Sequence, residues 1–404
     1  MIQTLKMAWR NLGRNRRRSL LSSLAVSFGA ALLLLMAAVL RGEMRGAIQN
    51  TIRLQSGHLQ IRALSYDENK VSLAWEDLIA GPDAVIQQLS AIPQVKTATP
   101  RLIASGILTL GDQSRGVQVV GIDPDSPANQ VFRSGILAGS FLDAGDREGI
   151  LVGRPLAENF GLQPGDQVSV LVNTSDGTVD EQLFAVRGVY STNTSAYDEG
   201  TVFMPLAKAQ TFSRAQDHAS SIFILLREQE QAEAVAAAIQ SQAYQVLTWQ
   251  SMNELIVQTE EFAGAYMVIL YFIVLGITAT VVTNTLVMAV FERTREIGIL
   301  SALGMKGRQI MTGFLAEAGL LATGGVIGGL LLGGLAVAYF ARYGFYIGDF
   351  GMTGILLGDT IYAYLTAQDA LSLSAATYII TLAAAFYPAS LAARLEPAEA
   401  LHAH

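Results

Sequence analysis

The sequence predicts an α-helical membrane protein with four transmembrane helices and a large extracytoplasmic α+β domain. Composition is the first observation, since 51% of the 404 residues are hydrophobic, 15% are charged, and the mean hydropathy is +0.37. Ordinary water-soluble domains are less apolar than this. The second observation is that four apolar runs reach the roughly 20 residues that cross a bilayer. They lie at 20–40, 262–290, 314–340 and 371–391.

A third observation is the stretch at 42–261, which carries Gly, Pro and charge at the density of a globular protein. It has no further run of spanning length and is long enough to bury its own core. The predicted segments are an amphipathic cytoplasmic N-terminal helix (1–19), a transmembrane helix (20–41), the extracytoplasmic domain (42–261), a transmembrane helix (262–291), a charged cytoplasmic helix (292–310), a transmembrane helix (311–341), an extracytoplasmic loop (342–370), a transmembrane helix (371–391) and a cytoplasmic tail (392–404).

Lysine and arginine predict the orientation, because positively charged flanks stay on the cytoplasmic side of a membrane. Both termini and the loop between the second and third spans are therefore expected inside, and the two remaining connections outside. Arg41, Arg45 and Arg53 on the outer flank weaken this bias without reversing it. The basic residues on the inner flanks are Lys6, Arg10, Arg14, Arg16, Arg17 and Arg18, then Arg293, Arg295, Lys306 and Arg308.

A cleaved signal peptide is the alternative to a first span, because a basic segment precedes an apolar run. The run of about 21 residues is longer than the apolar core of such peptides, and no small-x-small cleavage site follows it. We therefore expect an uncleaved anchor. The chain has no Cys, so neither disulfide bonds nor a lipid-modified cysteine is expected.

The 42–261 domain is predicted to consist of two βαβ-like halves around an inserted β-rich subdomain at about 117–205. Alternating apolar residues indicate the strands, and Pro82 and Pro93 bound the first helix. The insertion is dense in Gly, Asp and β-branched residues, which predicts short strands with tight turns. The halves are strand 57–63, helix 83–92 and strand 95–101, then strand 221–227, helix 229–242 and strand 244–248.

Sequence motifs of catalysis are absent. The chain has no GxxxxGK[ST] phosphate loop, no HExxH motif and no Cys, so no catalytic residue, metal site or cofactor is assigned to it. His58 stands alone in a predicted strand and is interpreted as a surface or pairing residue, whereas His402 and His404 lie at the tail. Four acidic pairs are interpreted as solvated surface, because adjacent strand residues face opposite ways. They are Asp67-Glu68, Asp180-Glu181, Asp198-Glu199 and Glu260-Glu261.

Charge is divided unevenly along the chain. Residues 42–261 hold 14 Lys and Arg against 26 Asp and Glu, which argues against nucleic acid as a partner of this domain. The first 41 residues hold 7 basic residues and no acidic one, which suits the inner face of a membrane. Leu5, Met7 and Leu12 are candidate apolar contacts there. The predicted membrane-face anchor comprises Trp9, Arg10, Arg16, Arg17 and Arg18.

The segment from Phe291 to Ile310, called the inter-span segment below, is charged and amphipathic. Glu292 and Glu296 share one face of a short helix and can pair with Arg295. An ordinary loop needs no apolar stripe beside such charges, although a stripe can also lie on lipid. We therefore predict a docking site for a cytoplasmic partner, with Gly304 and Gly307 ending or turning the helix. The residues assigned to docking are Glu292, Arg293, Arg295, Glu296, Ile297, Gly298, Leu300, Leu303 and Gly304.

The third span carries two further features. Glu317 is the one carboxylate inside a predicted span. It lies near the cytoplasmic end, where water or Arg308 can neutralise it. A structural role in bracing the inter-span segment is therefore favoured over a proton relay. Small residues four apart predict close helix contact within or between subunits, with plain flexibility as the alternative. The glycines assigned to helix packing are Gly324, Gly325, Gly328, Gly329 and Gly333.

Together these motifs resemble the permease subunits of the MacB and FtsX superfamily of ABC transporters, in a layout most like the lipoprotein-releasing Lol permeases. The resemblance covers nearly the whole chain. The segments that carry it are AWRNLGRNRRRSLL (8–21), ILVGRPLAENFGLQPGDQVSV (150–170), ERTREIGILSALGMKGRQI (292–310), FLAEAGLLATGGVIGGLLLG (314–333) and PASLAARLEPAEAL (388–401).

The resemblance implies a dimer of four-span subunits in a bacterial inner membrane, formed with a second copy or a paralogue. It implies that the inter-span segment is a coupling helix that docks on a cytoplasmic ATPase dimer, which binds ATP and Mg because this chain lacks a phosphate loop. ATP hydrolysis is then expected to move the extracytoplasmic domain and to release lipoproteins or another amphiphile from the outer leaflet. The alternatives are MacB-like efflux with a periplasmic adaptor and FtsX-like signalling to a cell-wall hydrolase.

Overall fold

The computed structural model describes residues 2–14, 16–67, 72–239, 243–348 and 355–395, with side chains from residue 6 onward. The chain folds into two compact units. The helical unit comprises Met1–Met44, Glu260–Phe345 and Ile361–His404, and the α/β unit comprises Arg45–Thr259 and Tyr346–Thr360. Predictions for Glu68, His402, His404 and the tail beyond residue 395 fall outside the described residues.

The helices of the described residues include four that are long and apolar enough to cross a membrane, namely Arg16–Ser56, Glu254–Glu292, Gly307–Tyr343 and Ala367–Ala393. This confirms the predicted fold class of four transmembrane helices. In chain order the α-helices are α1 (Ile2–Arg14), α2 (Arg16–Thr51), α3 (Pro82–Ser90), α4 (Gln130–Ser134), α5 (Arg154–Phe160), α6 (Ser195–Gly200), α7 (Leu206–Phe212), α8 (Ala232–Ile239), α9 (Trp249–Met252), α10 (Glu254–Glu292), α11 (Thr294–Ala302), α12 (Gly307–Tyr343) and α13 (Ala367–Ala393).

The core of the helical unit takes residues from all four long helices. Val26 of α2, Val282 of α10, Ala318 of α12 and Ala385 of α13 are all at most 2% exposed and pack together. Small and β-branched side chains at this depth let the helices approach closely. Thr366 caps α13 by accepting a hydrogen bond from the Asp369 N–H at 3.2 Å.

The strands of the α/β unit form one ten-stranded sheet and short two-stranded pairs. In chain order the strands of the chain are β1 (Leu59–Ala63), β2 (Ile79–Ala80), β3 (Val95–Leu110), β4 (Gln113–Ile122), β5 (Ile136–Gly139), β6 (Gly149–Gly153), β7 (Gln167–Asn173), β8 (Val179–Tyr190), β9 (Thr201–Pro205), β10 (His218–Ala219), β11 (Ser221–Leu226), β12 (Tyr244–Thr248), β13 (Phe345–Tyr346) and β14 (Thr360–Ile361).

One end of the large sheet has the order β12-β1-β11-β3, with every neighbouring pair antiparallel. The first predicted half is β1, α3 and β3, and the second is β11, α8 and β12. In the sheet, β11 lies between β1 and β3, and β1 lies between β11 and β12. Each half is therefore a split βαβ unit, with a strand of the other half between its two strands. Ile61, Ile222 and Ile224 are at most 2% exposed and form the core with residues of α3 and α8. The two halves therefore share one sheet and one core.

The inserted β-rich part closes on itself. Strands β3, β4, β9, β6, β8 and β7 each pair with the next, and β7 pairs back with β3. Its interior is filled by buried side chains such as Leu108, Val170 and Phe184. A closed ring leaves these strands without a free edge, which protects them from pairing with other chains. The predicted boundary at 117 falls inside β4, because β3 is 16 residues long and turns directly into β4.

One acidic pair departs from the predicted solvated surface. Asp198 is only 1% exposed. Its buried carboxylate accepts hydrogen bonds from the Thr192 N–H at 2.8 Å, the Thr192 hydroxyl at 2.6 Å and the Ser191 hydroxyl at 3.1 Å. Next to it, Asp359 accepts hydrogen bonds from the Ser195 N–H and hydroxyl at 3.0 and 2.8 Å.

His58 is a pairing residue, as one of the two predicted roles had it, since its Nδ1 accepts a hydrogen bond from the Leu226 N–H at 2.8 Å.

Candidate functional site

The inter-span segment contains a short helix, α11, rather than one helix over 292–310. Glu292 ends α10, and α11 runs from Thr294 to Ala302. Gly304 takes φ of +93°, a left-handed conformation that glycine adopts without strain, so the chain turns there and α12 begins at Gly307. The Lys306 N–H donates to Gln309 Oε1 at 3.0 Å and closes the turn.

Two glutamates of the segment form ion pairs with the N-terminal helices. Glu296 lies 2.6 Å from Arg14 Nη2 of α1, and Glu292 accepts a hydrogen bond from Arg18 of α2. The prediction that both pair with Arg295 was therefore wrong. Their true partners lie more than 270 residues away in the sequence, and local helix spacing cannot identify them. Exposure of the Arg14–Glu296 pair, 54% for each side chain, limits its contribution to stability.

A third pair lies inside the helical unit. Arg293 Nη1 donates to Glu317 Oε2 at 3.2 Å, and both side chains are less than 10% exposed. Arg293 Nη2 also donates to the carbonyl of Asn11 at 3.4 Å, so one guanidinium contacts α1 and α12. Water or Arg308 was predicted to neutralise Glu317, whereas its ion-pair partner in the structure is Arg293, which directly follows α10. The geometry supports the bracing role proposed for Glu317.

Helix α11 has a buried and an exposed face. Ile297 is 4% exposed and packs with Val290 and Phe314, and Gly298 is also buried. On the other face, Ile299 is 46%, Leu300 37% and Leu303 80% exposed. Three apolar side chains are thus exposed within five residues. Docking of a partner or contact with lipid at this face stays a prediction. Of the residues assigned to docking, Glu292, Arg295, Glu296, Leu300, Leu303 and Gly304 are exposed, while Arg293, Ile297 and Gly298 are buried.

The predicted membrane-face anchor lies on α1 and the start of α2. Trp9 is 70% exposed, whereas Ala8 beside it is 2% exposed and faces the protein. Arg10, Arg16 and Arg17 are exposed, and Arg18 is half-buried because of its contact with Glu292. Sequence reasoning missed Arg14 and Asn11 as partners of the inter-span segment. The available signal was the basic N-terminal run, opposite in charge to Glu292 and Glu296.

A cavity of about 570 Å³ lies between α1, α11 and α12. Its walls combine apolar side chains with the charged groups of the ion pairs. Residues that line it include Met7, Asn11, Arg14, Glu296, Met305 and Phe314. None of the described His, Asp and Glu residues form a group of three or more that could hold a metal ion.

The five glycines of α12 that were assigned to helix packing face α2. A Cβ added at Gly325 would lie 2.5 Å from Val26 Cβ, and one at Gly328 would lie 2.5 Å from Ser27 Oγ. At Gly333 the nearest atom, Ala31 Cα, would be 3.0 Å away. These distances are shorter than ordinary van der Waals contacts, so the two helices approach closely at the glycines and the contact lies within one chain. Gly334 has open space around it.

Comparison with known proteins agrees with this organisation. Residues 19–242, more than half of the chain, match the family described as MacB-like periplasmic core domain. Residues 268–397 match the FtsX-like permease C-terminal family, which includes the inter-span segment and α12. The first match covers most of the α/β unit, and the second covers most of the helical unit after it.

Two relatives match over most of this chain. The lipoprotein-releasing system transmembrane protein LolC of Neisseria meningitidis is 26% identical over 343 residues, which cover 80% of this chain and 79% of that protein. The macrolide export ATP-binding/permease protein MacB of Rhodospirillum rubrum is 30% identical over 366 residues, covering 84% of this chain. The chain spans 53% of the length of that MacB relative.

Among solved structures, the periplasmic region of MacB from Actinobacillus actinomycetemcomitans matches with a TM-score of 0.35 and 15% identity. It covers 52% of this chain and 97% of that chain. Four spanning helices, a large α/β periplasmic domain and the two family matches lead to one assignment. The chain belongs to the MacB/FtsX superfamily of ABC transporter permeases.

Proposed function

We propose that this chain is a non-catalytic permease subunit that converts ATP hydrolysis by a separate cytoplasmic ATPase into motion of its periplasmic domain. The observation that carries this proposal is the form of α11. Three Arg–Glu pairs tie the inter-span segment to α1, α2 and α12, through Glu296 on α11 and through Glu292 and Arg293 just before it. Ile299, Leu300 and Leu303 stay exposed. A braced helix with an exposed apolar face can transmit a push from a docked protein to the spanning helices.

The orientation that follows places both termini and the inter-span segment in the cytoplasm of a bacterial inner membrane. The excess of Lys and Arg in the first 41 residues and around α11 supports it. The partner is an ABC ATPase dimer that binds ATP and Mg, and the permease pairs with a second copy or a paralogue. Similarity to the MacB relatives supports an ATPase in the complex, because those proteins are named as ATP-binding/permease proteins.

The proposed cargo is a lipoprotein or another amphiphile, released from the outer leaflet of the inner membrane. Similarity to LolC over 79% of that protein's length supports this choice, since LolC is a transmembrane protein of a lipoprotein-releasing system. Efflux through a periplasmic adaptor is the second candidate, supported by the 30% identity to a macrolide export protein. Both candidates use the same docking face on α11.

Affinity purification of the tagged chain from detergent-solubilised membranes tests the proposal, with mass spectrometry of proteins and lipidated peptides. We expect an ATPase with a phosphate loop and acylated proteins. An adaptor in place of acylated proteins supports efflux, and a preparation without any ATPase contradicts the proposal. Replacement of Ile299 and Leu303 by Ser should remove the ATPase from the preparation. Leu183→Ser is the control, because Leu183 is 66% exposed on β8 of the periplasmic domain.

A further inference from the structure

A basic pocket lies where α1 ends and α2 begins. It has a volume of about 690 Å³ and is lined by Gly13, Arg14, Arg16, Arg17, Arg18 and Glu292. Four guanidinium groups against one carboxylate give it a strong excess of positive charge. An isolated cluster of this kind repels itself, so an anion bound among the four arginines stabilises the arrangement.

The four arginines are not equivalent. Among the described residues, Arg14 and Arg18 form ion pairs with Glu296 and Glu292 of the inter-span segment, whereas Arg16 and Arg17 have no carboxylate partner. Arg16 Nε donates to the carbonyl of Gly13 at 3.2 Å, so the first arginine of α2 contacts the end of α1. Arg16 and Arg17 both line the pocket, so both can donate charge-assisted hydrogen bonds to one phosphate group bound in it.

Apolar side chains continue from the pocket along α2. Leu20, Leu21 and Phe28 are 58%, 65% and 63% exposed on a helix that is apolar enough to span a membrane. A free phosphate ion makes no use of these residues. A phospholipid does, because its phosphate can bind the arginines while its acyl chains lie along the apolar part of the same helix.

We propose that the basic pocket formed by Arg14, Arg16, Arg17 and Arg18 binds the phosphate of an anionic phospholipid in the cytoplasmic leaflet, in competition with Glu292 and Glu296 for Arg14 and Arg18. This rests on the orientation given under the proposed function and adds a regulator to it. When the lipid phosphate binds these two guanidinium groups, two of the three ion pairs that hold the inter-span segment are weakened. Lipid composition then sets how firmly the inter-span segment is attached to α1 and α2.

Lipid binding is measured on the purified full-length chain alone, so the result does not depend on any ATPase. The chain in neutral detergent is titrated with dioleoyl phosphatidylglycerol, and bound lipid is counted by native mass spectrometry. Phosphatidylcholine with the same acyl chains is the zwitterionic comparison. We expect phosphatidylglycerol to bind at least about tenfold more tightly, and equal affinities overturn the proposal. Displacement by inorganic phosphate at equal concentration overturns the assignment to lipid.

Arginine variants separate a defined pocket from diffuse attraction. Arg16→Gln with Arg17→Gln should weaken phosphatidylglycerol binding by about thirtyfold, as expected for two basic residues at a lipid surface. The matched control is Lys306→Gln with Arg308→Gln, which removes the same charge from two exposed residues at the start of α12, outside the pocket and outside the membrane-face anchor, and should cost less than about threefold. Equal losses in the two double variants overturn the proposal.

Glutamate variants test the competition. Glu292→Gln with Glu296→Gln frees Arg14 and Arg18, so phosphatidylglycerol should bind more tightly, by about threefold or more. The third pair, Arg293–Glu317, is buried and remains intact in this variant. Unchanged or weaker binding contradicts competition between the lipid and the inter-span segment. Failure to find an ATPase partner leaves all three binding results interpretable and contradicts only the proposed function.

Discussion

At the scale of single residues, the buried Arg293–Glu317 pair is expected to contribute more to stability than an exposed ion pair. Arg293→Met leaves a carboxylate buried without a partner and is expected to lower the free energy of unfolding by about 3–5 kcal/mol. Arg293→Met with Glu317→Met should recover most of this loss. The measurement is denaturation in mixed micelles of detergent and SDS. Arg14→Met is the control, because its exposed pair with Glu296 contributes about 0–1 kcal/mol. Equal losses in the two single variants contradict the bracing role.

Asp198 predicts a pH dependence of the α/β unit. Burial raises the pKa of Asp198 from 3.8 to about 6, against hydrogen bonds from Thr192 and Ser191 that lower it, and the charge of Asp359 raises it further. Asp359 in turn lies 3.6 Å from the guanidinium group of Arg154. A raised pKa means that the folded chain holds the proton more tightly than the unfolded chain. The free energy of unfolding should therefore fall as pH rises from about 4 to about 6 and level off above that range.

The expected fall is about 2 kcal/mol, because each pKa unit corresponds to 1.36 kcal/mol and neighbouring groups relax. Urea denaturation of the full chain at a series of pH values, followed by tryptophan fluorescence, measures it. Asp198→Asn removes the titrating group, so the slope between pH 4 and 6 should flatten. The same slope in the variant and the parent chain assigns the dependence to another group. Sequence alone placed Asp198 on the surface, since its hydrogen-bond donors come from a turn that only the folded chain defines.

At the scale of elements, the contact of α12 with α2 depends on glycine. Gly325→Ala with Gly329→Ala places methyl groups against Val26 and Ala30, so the helices must separate at a cost of about 1–3 kcal/mol. Gly334→Ala is the matched control, because nothing lies near its Cβ position and alanine favours a helix by roughly 1 kcal/mol. Opposite signs of the two changes in mixed-micelle denaturation support a close helix contact. Stabilisation in both cases indicates that the glycines contribute flexibility only.

The positions of strands and helices could be predicted from local sequence patterns, whereas the pairing of strands that are distant in the sequence could not. Alternation predicted the strand at 57–63 and the structure has β1 at Leu59–Ala63, while flanking prolines predicted a helix where α3 runs from Pro82 to Ser90. The closure of β7 onto β3 was not predictable, because it joins residues 106–109 to residues 169–172, with β4, β5 and β6 between them in the sequence. The same limit applies to the site. Helical spacing indicated α11 and its apolar face, whereas its partner Arg14 lies 282 residues from Glu296.

At the scale of the whole molecule, the proposed function requires that force on α11 reaches the rest of the chain. Glu296 links α11 to α1, and Gly298 is buried on the side of α11 that faces the helical unit. Replacing both, as Glu296→Ala with Gly298→Leu, loosens one contact and crowds the other without altering the spanning helices. We expect normal membrane insertion and continued ATP hydrolysis by the complex, with release of cargo reduced by about tenfold or more, since about 1.4 kcal/mol of lost coupling is a tenfold effect.

The measurement compares ATP hydrolysis and cargo release in the same reconstituted vesicles. Glu158→Ala serves as the control, because Glu158 is an exposed carboxylate on α5 of the periplasmic domain and has no part in the α11 contacts. If hydrolysis and release stay at parental levels in the double variant, α11 does not couple the two processes. If both fall together with the amount of inserted protein, the substitutions have disturbed folding, and Glu296→Gln alone then decides the matter, because it removes the Arg14 ion pair while conserving shape. Loss of release with hydrolysis retained identifies α11 as the point where ATP hydrolysis is converted into motion.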